Sequence, residues 1–232
     1  MSVTVQSVVD RVQTVLQDTT GVRWPVPSEL VLWINDAQRE IALLKPDASA
    51  TNATITLVDG TKQDIPSGGN RLLRVVRNMS AASGGVGKRS IRLVDREVLD
   101  AQTPDWHDPS VTGDAAHGGV VKHYIYDESN PRNFYVYPGV SDATHIEIIY
   151  SSNPATVAQS DSLSIPDIFA NAVMNYVLYM AYMKDAEYAG NAQRASTHFQ
   201  LFTASVTGKG QIDATMTPNL DDRQPLPVMG RS

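Results

Sequence analysis

Apolar residues recur at helical spacing in two stretches near the start of the chain. The first stretch carries an apolar stripe that includes Val5, Val8 and Val12, and it predicts a helix over residues 4–17. The second predicts a helix over residues 28–44 whose buried stripe is Leu30, Ile34, Ala37, Ile41 and Leu44. Pro25 and Pro27 interrupt the connector between the two stretches, so we expect that connector to be non-helical.

The period of the pattern changes to two after Thr51, which indicates strands. Residues 53–57 and 62–65 flank an Asp59-Gly60 turn signal, and this predicts a hairpin. Further strands are predicted at residues 71–79 and 91–93, on either side of a glycine-rich loop. A helical turn is expected at Asp95–Leu99, and residues 103–119 form a long irregular connection.

Three closely spaced alternating stretches give the clearest sheet signal. They cover residues 121–126, 134–138 and 145–150. Because the connections are too short to hold crossover helices, we expect an antiparallel meander rather than a parallel α/β arrangement.

Helical periodicity returns after Ile165-Pro166-Asp167. One helix is predicted to reach about Ala189 and a last one to cover residues 192–206. The fold class is therefore α+β: N- and C-terminal helices form one bundle, and an antiparallel β-sheet or sandwich is inserted between them. The predicted domains are residues 1–50, 51–160 and 161–206, followed by an extended C-terminal arm of residues 207–232.

The arm cannot form a hydrophobic face of its own. It contains three prolines, three glycines and scattered apolar residues. Ordering such a segment costs on the order of 1 kcal/mol per residue in backbone entropy. We therefore expect a partner molecule to supply the contacts that order it.

Composition and charge exclude several classes of protein. The net charge of −6 argues against a surface built to grip a phosphate backbone. Zero cysteines exclude disulfides and thiolate chemistry. No apolar run is long enough for a membrane span, and the start of the chain lacks a secretory pattern, so we expect synthesis in the cytoplasm.

One stretch departs from the acidic balance. Residues 71–92 contain six basic side chains and no acid: Arg71, Arg74, Arg77, Lys88, Arg89 and Arg92. A nucleic-acid groove would also need aromatic residues to stack on bases, and this stretch has none. A solvated or subunit-facing edge is the favoured interpretation.

Candidate chemistry is weak throughout the sequence. The loop of residues 82–90 has glycines followed by Lys88, but its spacing departs from that of a phosphate-binding loop, and a hairpin tip is favoured. His107, His117 and His123 lack the spacing of metal ligands. No GxSxG motif occurs, and the acid pairs Asp127-Glu128 and Asp221-Asp222 lie in turn or tail sequence, where solvation explains them.

Several segments, taken in order, resemble head-to-tail connector (adaptor) proteins of tailed bacteriophages. They are residues 29–41 (ELVLWINDAQREI), Lys45-Pro46-Asp47-Ala48, Pro104-Asp105-Trp106, Tyr126-Asp127, Pro131, residues 134–138 (FYVYP), Ile165-Pro166-Asp167, and the tyrosine-rich helix with residues 184–188 (KDAEY). The resemblance covers most of residues 1–206 and implies a location at the head-to-tail interface of a virion, reached after synthesis in the host cytoplasm.

The resemblance implies a ring, commonly of twelve copies, that binds the portal protein and carries tail or nozzle proteins. DNA would pass through its lumen without specific binding, and neither catalysis, a cofactor, a metal nor a membrane is implied. The portal-docking residues of the arm would be Pro218, Leu220, Leu226, Pro227, Val228 and Met229. Subunit packing would use Trp33, Ile34, Ile41, Tyr176, Tyr179 and Tyr182.

Rival interpretations remain open at this point. Another tail-tube or nozzle component is the nearest competitor. A carbohydrate-binding receptor module would use an aromatic platform made of Trp24, Trp33, Trp106, Tyr135 and Tyr137. A polysaccharide-degrading enzyme would need two opposed acids in a cleft, and the sequence marks no such pair.

Overall fold

The computed structural model describes residues 2–215 and divides the chain into two units. The helical unit combines both ends of the chain, up to Lys45 and from Pro154 onward, and the β unit is Pro46–Asn153. The elements in chain order are α1 (Val5–Leu16), α2 (Val31–Leu44), β1 (Ala50–Thr56), β2 (Gly60–Asp64), β3 (Gly69–Met79), β4 (Gly87–Ser90), β5 (Arg92–Leu93), α3 (Arg96–Gln102), β6 (His123–Tyr126), β7 (Asn133–Val140), β8 (His145–Ser152), α4 (Ala170–Lys184) and α5 (Asn191–Thr215). The predicted α+β class, with N- and C-terminal helices around an inserted sheet domain, is confirmed.

In the helical unit, α4 packs against α1, α2 and α5. The apolar stripes of these four helices form a buried core that includes Val12, Ile34, Val177 and Phe202, each at most 1% exposed. The Thr4 hydroxyl caps α1 by accepting from the Ser7 amide at 3.2 Å. The amphipathic spacing read from the sequence therefore selects most of the buried positions, but Leu44, which was predicted to be buried, is 45% exposed at the end of α2.

The connector before α2 differs from the prediction. Residues Val26–Leu30 form a π-helical turn that runs directly into α2, although Pro27 lies inside it. Proline is tolerated there because an N–H in the first turn has no intrahelical acceptor to lose. The non-helical segment therefore ends at Pro25, which has extended dihedral angles.

The last helix is longer than predicted. α5 runs to Thr215 instead of ending at Val206, so residues 207–215 are helical and do not belong to an extended arm. Gly208 costs about 1 kcal/mol relative to alanine in a helix, which is too little to end one. The rest of the predicted arm lies outside the described residues.

The β unit is a sandwich of two four-stranded sheets. Their strand orders are β1-β8-β3-β4 and β2-β7-β6-β5. The ladders are antiparallel except for β5–β6, which is parallel. Ile146 and Ile148 of the first sheet meet Phe134 and Val136 of the second in the core, and all four are fully buried.

Two predicted strand pairings are wrong. The strands around Asp59-Gly60 do not form a hairpin, because β1 pairs with β8 and β2 pairs with β7. The three-stranded meander is also broken: β6 and β7 pair, but β8 crosses to the other sheet. Both errors have one cause, since a turn signal reports where the chain reverses and not which strand it pairs with afterwards.

A buried side chain takes the place of the missing hairpin ladder. The Gln63 amide nitrogen donates to the Val58 carbonyl at 2.7 Å, and its oxygen accepts from the Val58 amide at 2.9 Å. These bonds satisfy the turn backbone where the chain passes between sheets.

Candidate interaction surfaces

The three tyrosines of α4 pack against α5 of the same chain. Tyr176 meets Phe202 edge to face with ring centroids 5.2 Å apart, and Tyr179 lies 5.0 Å from Phe199. Tyr182 stacks on His198 with centroids 5.6 Å apart. The tyrosines are half-buried, so their first role is to join α4 to α5, and only their rims remain for a neighbouring subunit.

His198 sits beneath this aromatic row. Its Nδ1 lies 3.0 Å from the Asn175 side-chain oxygen, and because that oxygen only accepts, Nδ1 donates. Burial lowers the pKa of His198, which favours the neutral ring.

Two of the residues expected at subunit contacts are core residues instead. Ile34 and Ile41 are 0% exposed inside the helical unit, so they cannot reach a neighbouring subunit. Trp33 is half-buried beside them. The sequence stripe that contains Ile34 and Ile41 was assigned correctly to a buried face, but that face is covered by α4 of the same chain.

Two exposed leucines of α2 lie on its opposite face. Leu32 is 55% exposed and Leu43 is 73% exposed, with Asp36 and Arg39 between them. The two leucines are eleven residues apart, which is three helical turns, so they share one side of the helix. This spacing was readable from the sequence, but the stronger buried stripe obscured it.

The glycine-rich loop does not have the architecture of a phosphate-binding loop. It connects β3 to β4, with Met79 opposite Gly87, and a strand follows it where such a loop requires a helix N-terminus. The hairpin tip predicted from sequence is confirmed.

Two of the histidines considered as metal ligands, His107 and His123, contact different neighbours. His107 forms a 2.7 Å hydrogen bond with the Thr61 hydroxyl and stacks on Trp106. His123 stacks on Tyr137 on the outer face of the second sheet. Among residues 2–215, no group of three or more histidine, aspartate or glutamate side chains is arranged to hold a metal.

The aromatic platform of the carbohydrate-binding interpretation does not form. Trp106 is 0% exposed and Trp24 is 6% exposed, so neither presents a ring to a sugar. Tyr135 and Tyr137 pack edge to face on Trp106. These rings anchor the irregular connection to the outer face of the second sheet.

Residues in the sequence segments that resemble phage adaptors have structural roles. Asp185 pairs with Arg23 at 2.7 Å, and the Tyr188 ring lies under the same guanidinium. Lys184 pairs with Glu29 at 2.7 Å. These contacts tie the connector before α2 to the end of α4.

A model of the SU10 adaptor protein family matches residues 3–222. The chain belongs to this family. The match spans both units and confirms the resemblance to phage adaptor proteins. The protein is therefore a structural adaptor of a bacteriophage virion with a role in tail assembly, and membership implies interaction with portal and tail proteins.

No curated protein matches the chain. Within the described residues, no helix has the length and apolarity required to cross a lipid bilayer.

Proposed function

We propose that this adaptor forms a ring of about twelve copies beneath the portal, extends the DNA conduit and provides the platform on which the tail assembles. The observation that carries the proposal is the family match, which spans both units and continues past α5 to residue 222. The matched region therefore includes Pro218 and Leu220 of the proposed docking segment.

The helical unit would supply the base from which the docking segment starts. Tyr176 faces Phe202 across the antiparallel α4–α5 pair, so the last turns of α5 extend beyond the first residue of α4. Seven further residues of helix add about 10 Å. Residues 216–232 would start from this end, with Leu226, Pro227, Val228 and Met229 as their apolar contacts to the portal.

Subunit contacts in the proposed ring would use the surfaces that remain open. They are Trp33 and the exposed Leu32 and Leu43 on α2, and the rims of Tyr176, Tyr179 and Tyr182. Twelve copies at −6 each carry −72, and an acidic lumen would let DNA slide rather than adhere. Weak binding by each segment is sufficient, because a ring presents all segments at once and raises their effective concentration.

The test compares the full chain with a chain that ends at Thr215. We expect the full chain to bind purified portal protein and to give a ring with a central channel in electron micrographs. The shortened chain should keep the circular dichroism spectrum and thermal midpoint of the full chain but lose portal binding in sedimentation.

A double variant, Leu226→Asp with Val228→Asp, separates apolar docking from chain length. It should fail like the shortened chain, whereas Ser232→Asp, at the last position, should bind normally. Undiminished portal binding by the shortened chain would refute docking through residues 216–232. A full chain that does not bind portal at all would refute the proposed function.

A further inference from the structure

The outer face of the first sheet carries a row of bases, and the segment that covers the second sheet is rich in acids. On the first sheet, Arg71, Arg74 and Arg77 of β3 stand opposite Ser151, Ile149 and Glu147 of β8. These three β8 positions alternate with the buried Ile146, Ile148 and Tyr150, so the arginines lie on the outer face. We call these three arginines the basic face.

The basic face is only partly neutralised within the chain. Glu147 is held by Arg77 and by the Asn52 amide at 2.8 Å, and these hydrogen bonds lower the pKa of Glu147. The side chains of Arg71 and Arg74 make neither a hydrogen bond nor an ion pair with any side chain that the structure describes. Two guanidinium groups therefore remain available to an outside partner.

The outer face of the second sheet is covered by α3 and the connection that follows it. Leu99 and Trp106 anchor this cover against Ile125, whose side alternates with the core residue Tyr124. Residues 95–114 of the cover contain one base, Arg96, and six exposed acids: Asp95, Glu97, Asp100, Asp105, Asp108 and Asp114. We call these six acids the acidic cover.

Some carboxylates of the acidic cover have internal partners and some do not. Asp100 accepts from the Trp106 indole at 2.8 Å and pairs with Arg96, and Asp108 accepts from Ser110. Glu97 and Asp105 make no side-chain hydrogen bond or ion pair in the described part of the chain. The acidic cover therefore has unpaired negative charges, which are complementary to the unpaired positive charges of Arg71 and Arg74.

We propose that the basic face of one copy binds the acidic cover of the next copy, so that the β units contact each other head to tail. Two basic faces repel each other, as do two acidic covers, and a two-fold pairing through either surface is therefore disfavoured. Oppositely charged surfaces on opposite sides of one sandwich give a heterologous contact, which propagates around a ring. This inference rests on the proposed ring and names the subunit contact made by its β units.

The contact should be sensitive to ionic strength. Exposed ion pairs are individually weak and are screened beyond about 8 Å at physiological salt. The association is therefore set by several pairs acting together, and it should weaken steadily as salt is raised.

Two charge-reversal variants of the full chain test the proposal. One is Arg71→Glu with Arg74→Glu, and the other is Glu97→Lys with Asp105→Lys. These four residues are not fully buried and lack internal partners, so both variants should keep the wild-type thermal midpoint. Each variant alone should need roughly tenfold or more protein for half-maximal assembly on the portal, measured by native mass spectrometry.

Mixing the two variants in equal amounts should restore assembly. In an alternating ring, each reversed basic face meets a reversed acidic cover, and each wild-type basic face meets a wild-type acidic cover. The four substitutions combined in one chain should assemble for the same reason. Normal assembly of the arginine variant alone would overturn the proposal. Failure of the mixture to recover would also overturn it, because the basic face would then bind portal, tail protein or DNA.

Cysteine cross-linking separates this contact from the proposed function. The wild-type chain has no cysteine, so Arg74→Cys and Asp105→Cys provide the only thiols of a double variant. Oxidation of that full chain at raised concentration, without portal, should give a ladder of oligomers. Either single variant should remain monomeric. A ladder from the double variant supports the contact even if portal binding fails, whereas dimers from a single variant, or no ladder, would overturn it.

Discussion

The helical unit and the β unit each hold an irregular segment with one buried asparagine. In the helical unit, Asn35 of α2 binds both backbone groups of Val157: its Nδ2 donates to the carbonyl at 3.0 Å, and its Oδ1 accepts from the amide at 2.9 Å. In the β unit, Asn78 of β3 binds both backbone groups of Val121, at 2.7 and 2.9 Å. In both units a side-chain amide therefore supplies the hydrogen bonds that a neighbouring strand would otherwise give to this backbone. We call each pair of hydrogen bonds between an asparagine amide and a valine backbone an amide clamp.

The two units differ in the additional contacts that hold the irregular segment beside its amide clamp. The segment at Val157 gains a second buried amide, since Gln38 accepts from the Ser164 backbone at 2.7 Å. The connection before Val121 instead gains an aromatic anchor, Trp106, which is fully buried. Hydrogen bonds fix the path of a segment at modest net stabilisation, whereas a buried tryptophan removes a large apolar area from water. The comparison therefore predicts that the β unit depends on its anchor more than the helical unit depends on its amides.

Removing the anchor should have the largest effect. Trp106→Ala deletes a fully buried ring and leaves the Asp100 carboxylate without its indole donor, so we expect a loss of about 3–5 kcal/mol in the free energy of unfolding. Urea denaturation followed by circular dichroism measures this loss. Hydrogen exchange should accelerate in residues 96–119 and stay unchanged in residues 154–164.

Trp33→Ala is the matched control, because Trp33 is half-buried on α2. It should cost clearly less than Trp106→Ala. A loss below about 0.5 kcal/mol for Trp106→Ala would contradict the anchor role, since that is the range of surface substitutions.

Removing the asparagines should have an intermediate effect that differs between the units. Each substitution by alanine leaves backbone groups of a buried valine unpaired, at about 1–3 kcal/mol per buried group. Alanine favours helix and is disfavoured in strands, so Asn78→Ala should cost more than Asn35→Ala, by roughly 1 kcal/mol. Thermal midpoints, together with exchange at the Val121 and Val157 amides, measure the difference.

Exposed asparagines on the same types of element serve as controls. Asn171→Ala on α4 and Asn70→Ala on β3 change propensity without breaking a clamp. If these variants differ from each other as much as Asn35→Ala differs from Asn78→Ala, propensity alone explains the contrast. Equal losses for Asn35→Ala and Asn78→Ala would contradict the predicted order.

The amide clamps also show which features of the fold could be predicted from the sequence and which could not. Stripes such as Val5, Val8 and Val12 predict the helices and their buried faces, because period 3.6 is local information. The partner of Asn35 lies 122 residues away, so no local pattern indicates it. β8 is equally instructive: its alternation predicts a strand, but its position between β1 and β3 depends on how two sheets pack.

The candidate surfaces were predictable to a similar degree. The arginines of the basic face belong to a run of six bases in the sequence, and the acidic cover follows that run directly. Their placement on opposite sides of a sandwich required the strand register. The predicted role of Ile34 and Ile41 in subunit contacts was wrong for a similar reason. An apolar stripe predicts that a face is buried, but it does not show whether a helix of the same chain or of a neighbouring subunit covers that face.

Acidification should produce the smallest effect, again larger in the β unit. Burial, reinforced by nearby Arg96, lowers the pKa of His107, and burial with Arg89 and Arg92 lowers that of His123. The helical unit has one such residue, His198, whose pKa burial lowers. An unfolded histidine titrates near about 6.5, so below that pH the unfolded chain binds more protons than the folded one. The free energy of unfolding is therefore unaffected above this pH and decreases as the pH falls through the lowered pKa values of the folded state.

Amide exchange at pH 7.5 and 5.5, corrected for intrinsic rates, should show a larger loss of protection in the β unit. His107→Asn should reduce that loss and His198→Asn should reduce the loss in the helical unit, whereas an equal loss in both units would contradict the assignment.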